Sequence, residues 1–173
     1  MLHFKKGDYI LYGISGVCLI ADIRTDPLSK ENRGEYYVLK PVSERGSTIL
    51  VPTDNETLTA RMVPLPDRAE LDRLIAAARE QALPWIDDRK ERNAGFQLTV
   101  KRGGLQEILA LVACICQKRT ELTAAGKKLS AADENILRRA EGLIENTLGF
   151  ILDLEGPQAE NYLRERLGET GSY

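Results

Sequence analysis

The feature that most constrains this chain is a change in the period of its apolar residues near residue 65. Up to that point the segments DYILYG, GVCLIADIR, EYYVLKP, STILVP and LTARMV are short and rich in β-branched or aromatic residues, a composition that fits strands. Glycine, proline and asparagine separate them, most densely in TDPLSKENRG between Thr25 and Gly34. Five short strands cannot leave both faces in water, so a strongly bent sheet or small barrel is the expected closure.

From Asp67 the period becomes helical. In DRAELDRLIAAAREQAL, Leu71, Leu74, Ile75 and Ala78 share one helix face, and Asp67 is placed as its N-cap. Pro84 suits the first turn of a second helix. A third is expected from about Gly104 to Thr123, apolar on several sides and therefore central. AAGKKL then reads as a turn, and Ser130 and Asp133 form an S-x-x-D capping box. The fourth helix carries Ile136, Leu137, Ala140, Leu143, Ile144, Leu148 and Ile151, with Gly156 at its end. Pro157 opens a short last helix, and the tail GETGSY is expected to fray. The fold class expected is α+β with the two parts segregated: a β module over residues 1–65 and four to five helices over 66–173.

An apolar share of 43% in 173 residues is enough to bury a core. No apolar run approaches the ~18 residues of a membrane span, and MLHFKKGDY lacks the apolar centre of a secretion signal. The residence expected is cytoplasmic. Cys114 and Cys116 lie two apart in a helical stretch and point to nearly opposite sides, and the only histidine is His3. A zinc site is not expected, nor any other cofactor, and the three cysteines read as small apolar or inert residues.

Reaction chemistry has no evident seat. G-x-S-x-G, P-loop and G-x-G-x-x-G patterns are missing, and His-assisted nucleophilic catalysis would have to use His3. Asp87 and Asp88 diverge by about 100° on a helix, whereas acid–base pairs must face one site. They fit a solvated first turn that favours the helix dipole. A non-enzymatic protein with no small-molecule substrate is expected.

Charge distribution says more than the net charge of -2. From Asp88 to Arg102, Arg89, Lys90, Arg92, Lys101 and Arg102 stand against Asp88 and Glu91. Lys118, Arg119, Lys127 and Lys128 follow, against Glu121. Between Asp133 and Glu160, Arg138 and Arg139 face seven acids. Such clusters are ordinary solvated helix faces unless they meet in space, in which case they could lie along phosphates. Trp85, the sole tryptophan, follows Pro84 and precedes a dense run of charges. On pattern alone, core anchoring and surface docking stay equally open for it.

Two segments in order resemble one family. F-x-x-G-D at Phe4 to Asp8 is followed by Tyr12, Gly16 and Val17, by EYYVLKP, by ILVP and by the arginine of LTARMV. W-x-x-D-x-x-x-R follows at Trp85, Asp88 and Arg92, then GKKLSAADENILRRAEGLI. Together, over about Phe4 to Leu154, the chain resembles the CarD family of bacterial transcription regulators, whose β module recurs in transcription-repair coupling factors. The resemblance implies a Tudor- or SH3-like β-barrel that docks on the RNA polymerase β subunit, followed by an all-α domain that touches promoter DNA at its phosphate backbone and minor groove. It implies that Trp85 wedges against opened DNA, with Arg89, Lys90, Arg92, Lys101 and Arg102 around it holding phosphates. For the polymerase it implies an exposed sheet edge bordered by the strands of Arg24 and Leu50. This chain reads YGISGVC where many members have Y-P-x-H-G-V-G, and Asp26 and Leu50 where polymerase-contacting members carry arginines. The alternative function is a protein–protein adaptor whose helices never touch DNA.

Overall fold

The computed structural model describes residues 3–25 and 34–167. Asp26, most of the Thr25–Gly34 connection and the tail GETGSY lie outside the described residues. The chain divides into two compact units, Met1–Leu65 and Pro66–Tyr173.

In the first unit the alternating segments form five strands: β1 (Tyr9–Tyr12), β2 (Val17–Thr25), β3 (Glu35–Pro41), β4 (Ile49–Pro52) and β5 (Met62–Pro64). They pair antiparallel in the order β4-β3-β2-β1-β5. The register of β2 on β3 slips between Ile20 and Asp22: Ile20 faces Leu39, and Asp22 faces the adjacent Val38. Ala21 is thus an extra residue, a bulge, and it re-aims the strand. Because of it Ile20 and Ile23, three apart, both reach the core made by Ile10, Tyr12, Cys18, Leu39, Val51 and Met62.

Two expectations for this unit change. Of LTARMV only Met62 and Val63 are strand, in β5 with Pro64; just before it Glu56–Thr59 makes a single helical turn, α1, because the Asn55 side chain accepts from the Leu58 N–H at 3.0 Å. The sheet is also open rather than a closed barrel. Among the described residues β4 and β5 hold its two edges and no ladder joins them. The turn YGISG between β1 and β2 requires its first glycine. Gly13 has φ +50, and a Cβ there would sit 2.9 Å from the Arg61 guanidinium, which stacks over the Tyr12 ring at 5.3 Å.

The second unit contains α2 (Arg68–Glu80), α3 (Arg89–Arg102), α4 (Leu105–Ala124), α5 (Ala131–Leu152) and α6 (Gly156–Leu167). The α4 helix is the axis: every residue from Ile108 to Cys116 is buried. Leu71, Ile75 and Ala78 of α2, Phe96 and Val100 of α3, and Ile136, Leu137, Ala140, Ile144 and Leu148 of α5 complete its core. The α6 helix is latched to α2 by polar contacts. The Tyr162 hydroxyl donates to Asp72 at 2.5 Å, and Arg166 donates to the same carboxylate at 2.8 Å while stacking on the Tyr162 ring. No described helix is long and apolar enough to cross a membrane.

Caps fix the helix boundaries. Asp67 accepts from Glu70 N–H at 2.8 Å, and the Ser130 hydroxyl accepts from Asp133 N–H at 3.2 Å. Two boundaries differ from the sequence reading. Pro84 does not open a helix; α3 starts five residues later, where the Asp88 carboxylate accepts from Glu91 N–H at 2.7 Å. The fourth helix stops before Gly156, at Asp153, whose left-handed backbone (φ 53) turns Leu154 N–H onto the Gly149 carbonyl at 3.0 Å.

A side chain at that left-handed position costs about 1 kcal/mol. Asp153→Gly is therefore expected to raise the stability of the helical unit by up to about 1 kcal/mol, read as a higher urea midpoint of the helical circular-dichroism signal. A lower midpoint would show that the aspartate side chain itself holds the turn.

Candidate functional site

Strand alternation decides which residues of the first unit face outward. Ile23, Tyr37 and Val51 form one cross-strand row of β2, β3 and β4, and Ile20, Leu39 and Ile49 another. Both rows point to the core. The intervening rows, Asp22–Val38–Leu50 and Arg24–Tyr36–Pro52, therefore share the opposite face. Leu50 is 58% exposed on the edge strand β4. Arg24 is exposed on the same face, near the end of β2, where β2 pairs with β3 beyond the stretch Val17–Leu19 that β1 covers. Its guanidinium binds the Asp22 carboxylate at 2.7 Å, which also draws Lys6 to 3.6 Å. The hydrogen bond from Arg24, helped by that from the Ile23 N–H, holds the Asp22 carboxyl below its ordinary value. Sequence reading passed over further exposed apolar side chains in this unit: Tyr9, Ile14, Val42 and Val63.

In the second unit the stretch LPWIDDRKERN is organised by Arg92. It was expected among the phosphate-facing cations. Instead it is 6% exposed, and its guanidinium is fully engaged inside the unit. Nε and Nη2 donate to the two oxygens of Asp133 at 3.0 and 2.9 Å. Nη1 donates to the carbonyls of Ile86 and Asp87 at 2.8 and 3.2 Å. The guanidinium also lies 4.3 Å from the centre of the Trp85 ring. Asp133 is itself 3% exposed and takes a third bond from the Ser130 hydroxyl at 2.6 Å. Burial pushes its carboxyl upward, but the bonds from Arg92 and Ser130 outweigh this and leave it below the ordinary value.

The spacing W-x-x-D-x-x-x-R thus has a structural meaning. Asp88 caps α3, Arg92 sits one turn on, and from there it reaches back to the 86–87 carbonyls and clamps Trp85. The indole is half-buried, edge-on to Phe96 at 6.0 Å, with Lys118 of α4 also over its ring at 5.4 Å. It is a fixed plate with part of its surface in water, neither a free probe nor a core plug. Arg89, Lys90, Lys101 and Arg102 are exposed on α3 as expected. Asp133 was not nominated, because its partner lies 41 residues away; its only local signal was the capping box.

Cys18, Cys114 and Cys116 are buried. Burial pushes the Cys18 and Cys114 thiols up to about 11, so both stay protonated at neutral pH. Among the described residues no cluster of three His, Cys, Asp or Glu could hold a metal ion.

Residues 4–63 match the family of the CarD-like/TRCF RID domain. The first unit is thus similar to that domain over nearly its whole length. The match covers β1 to within β5, with the outer face just described, and ends at Val63. No curated protein matches the chain. The helical unit that follows the CarD-like domain therefore rests on its own geometry.

Removing one member of a buried ion pair strands the other charge, at a cost of about 3–5 kcal/mol. Arg92→Met is expected to destabilise the helical unit by that order and to change the emission of Trp85. The double variant Arg92→Met/Asp133→Leu should regain most of the loss, and equal destabilisation of the two variants in urea titration would contradict the account. Because the folded-state carboxyl of Asp133 is depressed, its contribution is complete above its unfolded value near ~3.9 and is lost as pH falls through the lower folded value. The helical unit should lose stability below about pH 4, and Asp133→Asn should flatten that acid limb in pH-dependent unfolding.

Proposed function

We propose that this chain is a non-enzymatic transcription regulator of the bacterial cytoplasm. It binds the RNA polymerase β subunit through its CarD-like domain and promoter DNA, without sequence preference, through its helical unit. The effect is a change in the lifetime of the open promoter. The observation that carries the reading is the match of residues 4–63 to a domain type named for interaction with RNA polymerase.

In this reading the β unit works as a Tudor-like docking module. The free edge of β4 offers main-chain donors and acceptors to a partner strand, while Leu50 and Arg24 supply side-chain contacts on the adjoining face. The helical unit brings Arg89, Lys90, Lys101 and Arg102 to phosphates, and Trp85 offers the exposed part of a rigid ring to the opened minor groove. Arg92 supports this ring from inside and takes no phosphate. A second reading, the protein adaptor, draws on the same observation: the clamp removes one cation from the surface and fixes the indole in place.

The full chain is expected to be retained by an immobilised polymerase β-subunit fragment at about micromolar concentration, and Leu50→Glu to weaken retention at least tenfold. No retention of the wild type would sink the polymerase half. For DNA, the readout is the lifetime of open promoter complexes with wild type and with a natively helical Trp85→Ala. A several-fold shorter lifetime supports the wedge, and an unchanged one assigns the adaptor.

A further inference from the structure

Among its described residues the helical unit exposes one large apolar side chain, Leu98 of α3, at 51%. Arg92, Phe96 and Val100 define the buried side of this helix. At about 100° per residue, Glu91, Gly95, Leu98 and Arg102 fall on one line of the other side, flanked by Ala94 and Lys101. Their spacing is four, three and four residues, the repeat by which one helix presents a seam to another. Glu91, Ala94, Lys101 and Arg102 are exposed, and Gly95 is half-buried.

The charges and the glycine of this seam are not explained within the chain. Glu91 and Arg102 stand at its ends, eleven positions or roughly 16 Å apart. Neither forms an ion pair among the described residues. Gly95 stands in the interior of α3, where glycine destabilises a helix relative to alanine. Internal packing does not require it, because a Cβ there would meet nothing within 4 Å. The place of its missing side chain is therefore a hollow beside the exposed Leu98.

A second copy of the seam, turned antiparallel, supplies what each position lacks. A two-fold axis level with the peptide between Phe96 and Gln97 pairs position 91 with 102 and position 95 with 98. Glu91 then meets Arg102 of the second copy at both ends. Leu98 of each copy fills the hollow over Gly95 of the other, so every contact is made twice, as an isologous interface requires. Glycine there also lets the helix axes approach toward the close end of the ~8–10 Å packing range. In a parallel pairing like charges would face each other at both ends, so charge selects the antiparallel arrangement.

We infer that the outer face of α3 is a self-association surface whose occupant is a second copy of this chain, with Leu98 seated on Gly95 and Glu91 paired with Arg102. A single helix pair buries less than the ~1,200 Å² at the low end of stable interfaces, so the association is weak, with a Kd of about 10–100 micromolar. Arg102 cannot serve Glu91 of a second copy and a phosphate at once. Pairing through α3 and the phosphate contact of Arg102 are therefore alternatives.

The test is sedimentation of the full chain over a concentration series that spans this range. Wild type should pass from one chain to two as concentration rises. Glu91→Arg and Arg102→Glu should each weaken self-association about tenfold, because each places like charges at both ends of the pair. Mixed in equal amounts, the two variants should associate about as tightly as wild type, since every end then joins opposite charges. The Asp88 cap accepts from the backbone N–H of residue 91, which the substitution keeps, and circular dichroism checks helicity. Gly95→Gln should raise the urea midpoint of the helical signal, since glutamine is the better helix former, and yet weaken self-association by filling the hollow. A wild type that stays a single chain throughout would overturn the inference. So would charge variants or Gly95→Gln that associate like wild type, or a mixture no tighter than its components. None of these readouts involves polymerase or DNA, so they stand apart from the function proposed above.

Discussion

The helical unit depends on one buried ion pair. Arg92 and Asp133 meet through two charge-assisted hydrogen bonds, Ser130 donates to the carboxylate, and the Ile86 and Asp87 carbonyls accept from Nη1 of the guanidinium, so no buried side-chain nitrogen or oxygen among the described residues is without a partner. Burying two charges costs more than their attraction returns unless the surroundings complete the hydrogen bonding. Here they do. The pair therefore acts chiefly on specificity: it sets the register of α3 on α5, the path of the 86–87 connection and the tilt of the indole together. A packed apolar contact at the same place would tolerate sliding by a few tenths of an ångström, and a bidentate pair does not.

What could be read from the sequence was the local part of this. Asp67, Ser130 and Asp133 announce helix starts because a cap is a contact within four residues, and the apolar run of α4 announces its own burial. The start of α3 was misplaced at Pro84 because proline only permits a helix start, whereas Asp88 makes one with its carboxylate. Likewise Asn55 diverts part of an apparent strand into a helical turn. Arg92 was misread for a different reason. In sequence it is one of five cations in a charged stretch, and nothing nearby separates it from Arg89 or Lys90. Its partner arrives from 41 residues away. Polar burial of this kind is invisible to composition, since the periodicity of α3 can place the position inside but cannot name what neutralises it.

The β unit shows the same division. Alternation identifies the core rows, but the extra residue Ala21 inverts the phase of β2 partway along, so Asp22 and Arg24 face outward beside Leu50 rather than inward. Without that bulge Asp22 would fall in the inward row of Tyr37 and Val51, and Arg24 would turn inward opposite Glu35. The outer face of this CarD-like domain is thus a product of one inserted residue, and the absence of arginine at position 50 leaves it more apolar there than the family resemblance implies.

On α5, Arg139 lies on the flank toward α3, where it donates to Gln97, whereas Glu134, Glu141 and Glu145 share the other flank with Arg138, and this uneven charge bears on how the molecule meets other charged bodies. With a net charge of only -2, the chain gains little from monopole attraction to a polyanion. Separated flanks of opposite sign nonetheless form a transverse dipole, and a dipole in a non-uniform field experiences a torque before it experiences contact. Near a line of negative charge the helical unit would rotate its basic flank inward within about a Debye length, ~8 Å at physiological ionic strength. Orientation would then precede adhesion, and salt would slow productive encounter as well as weaken the bound state.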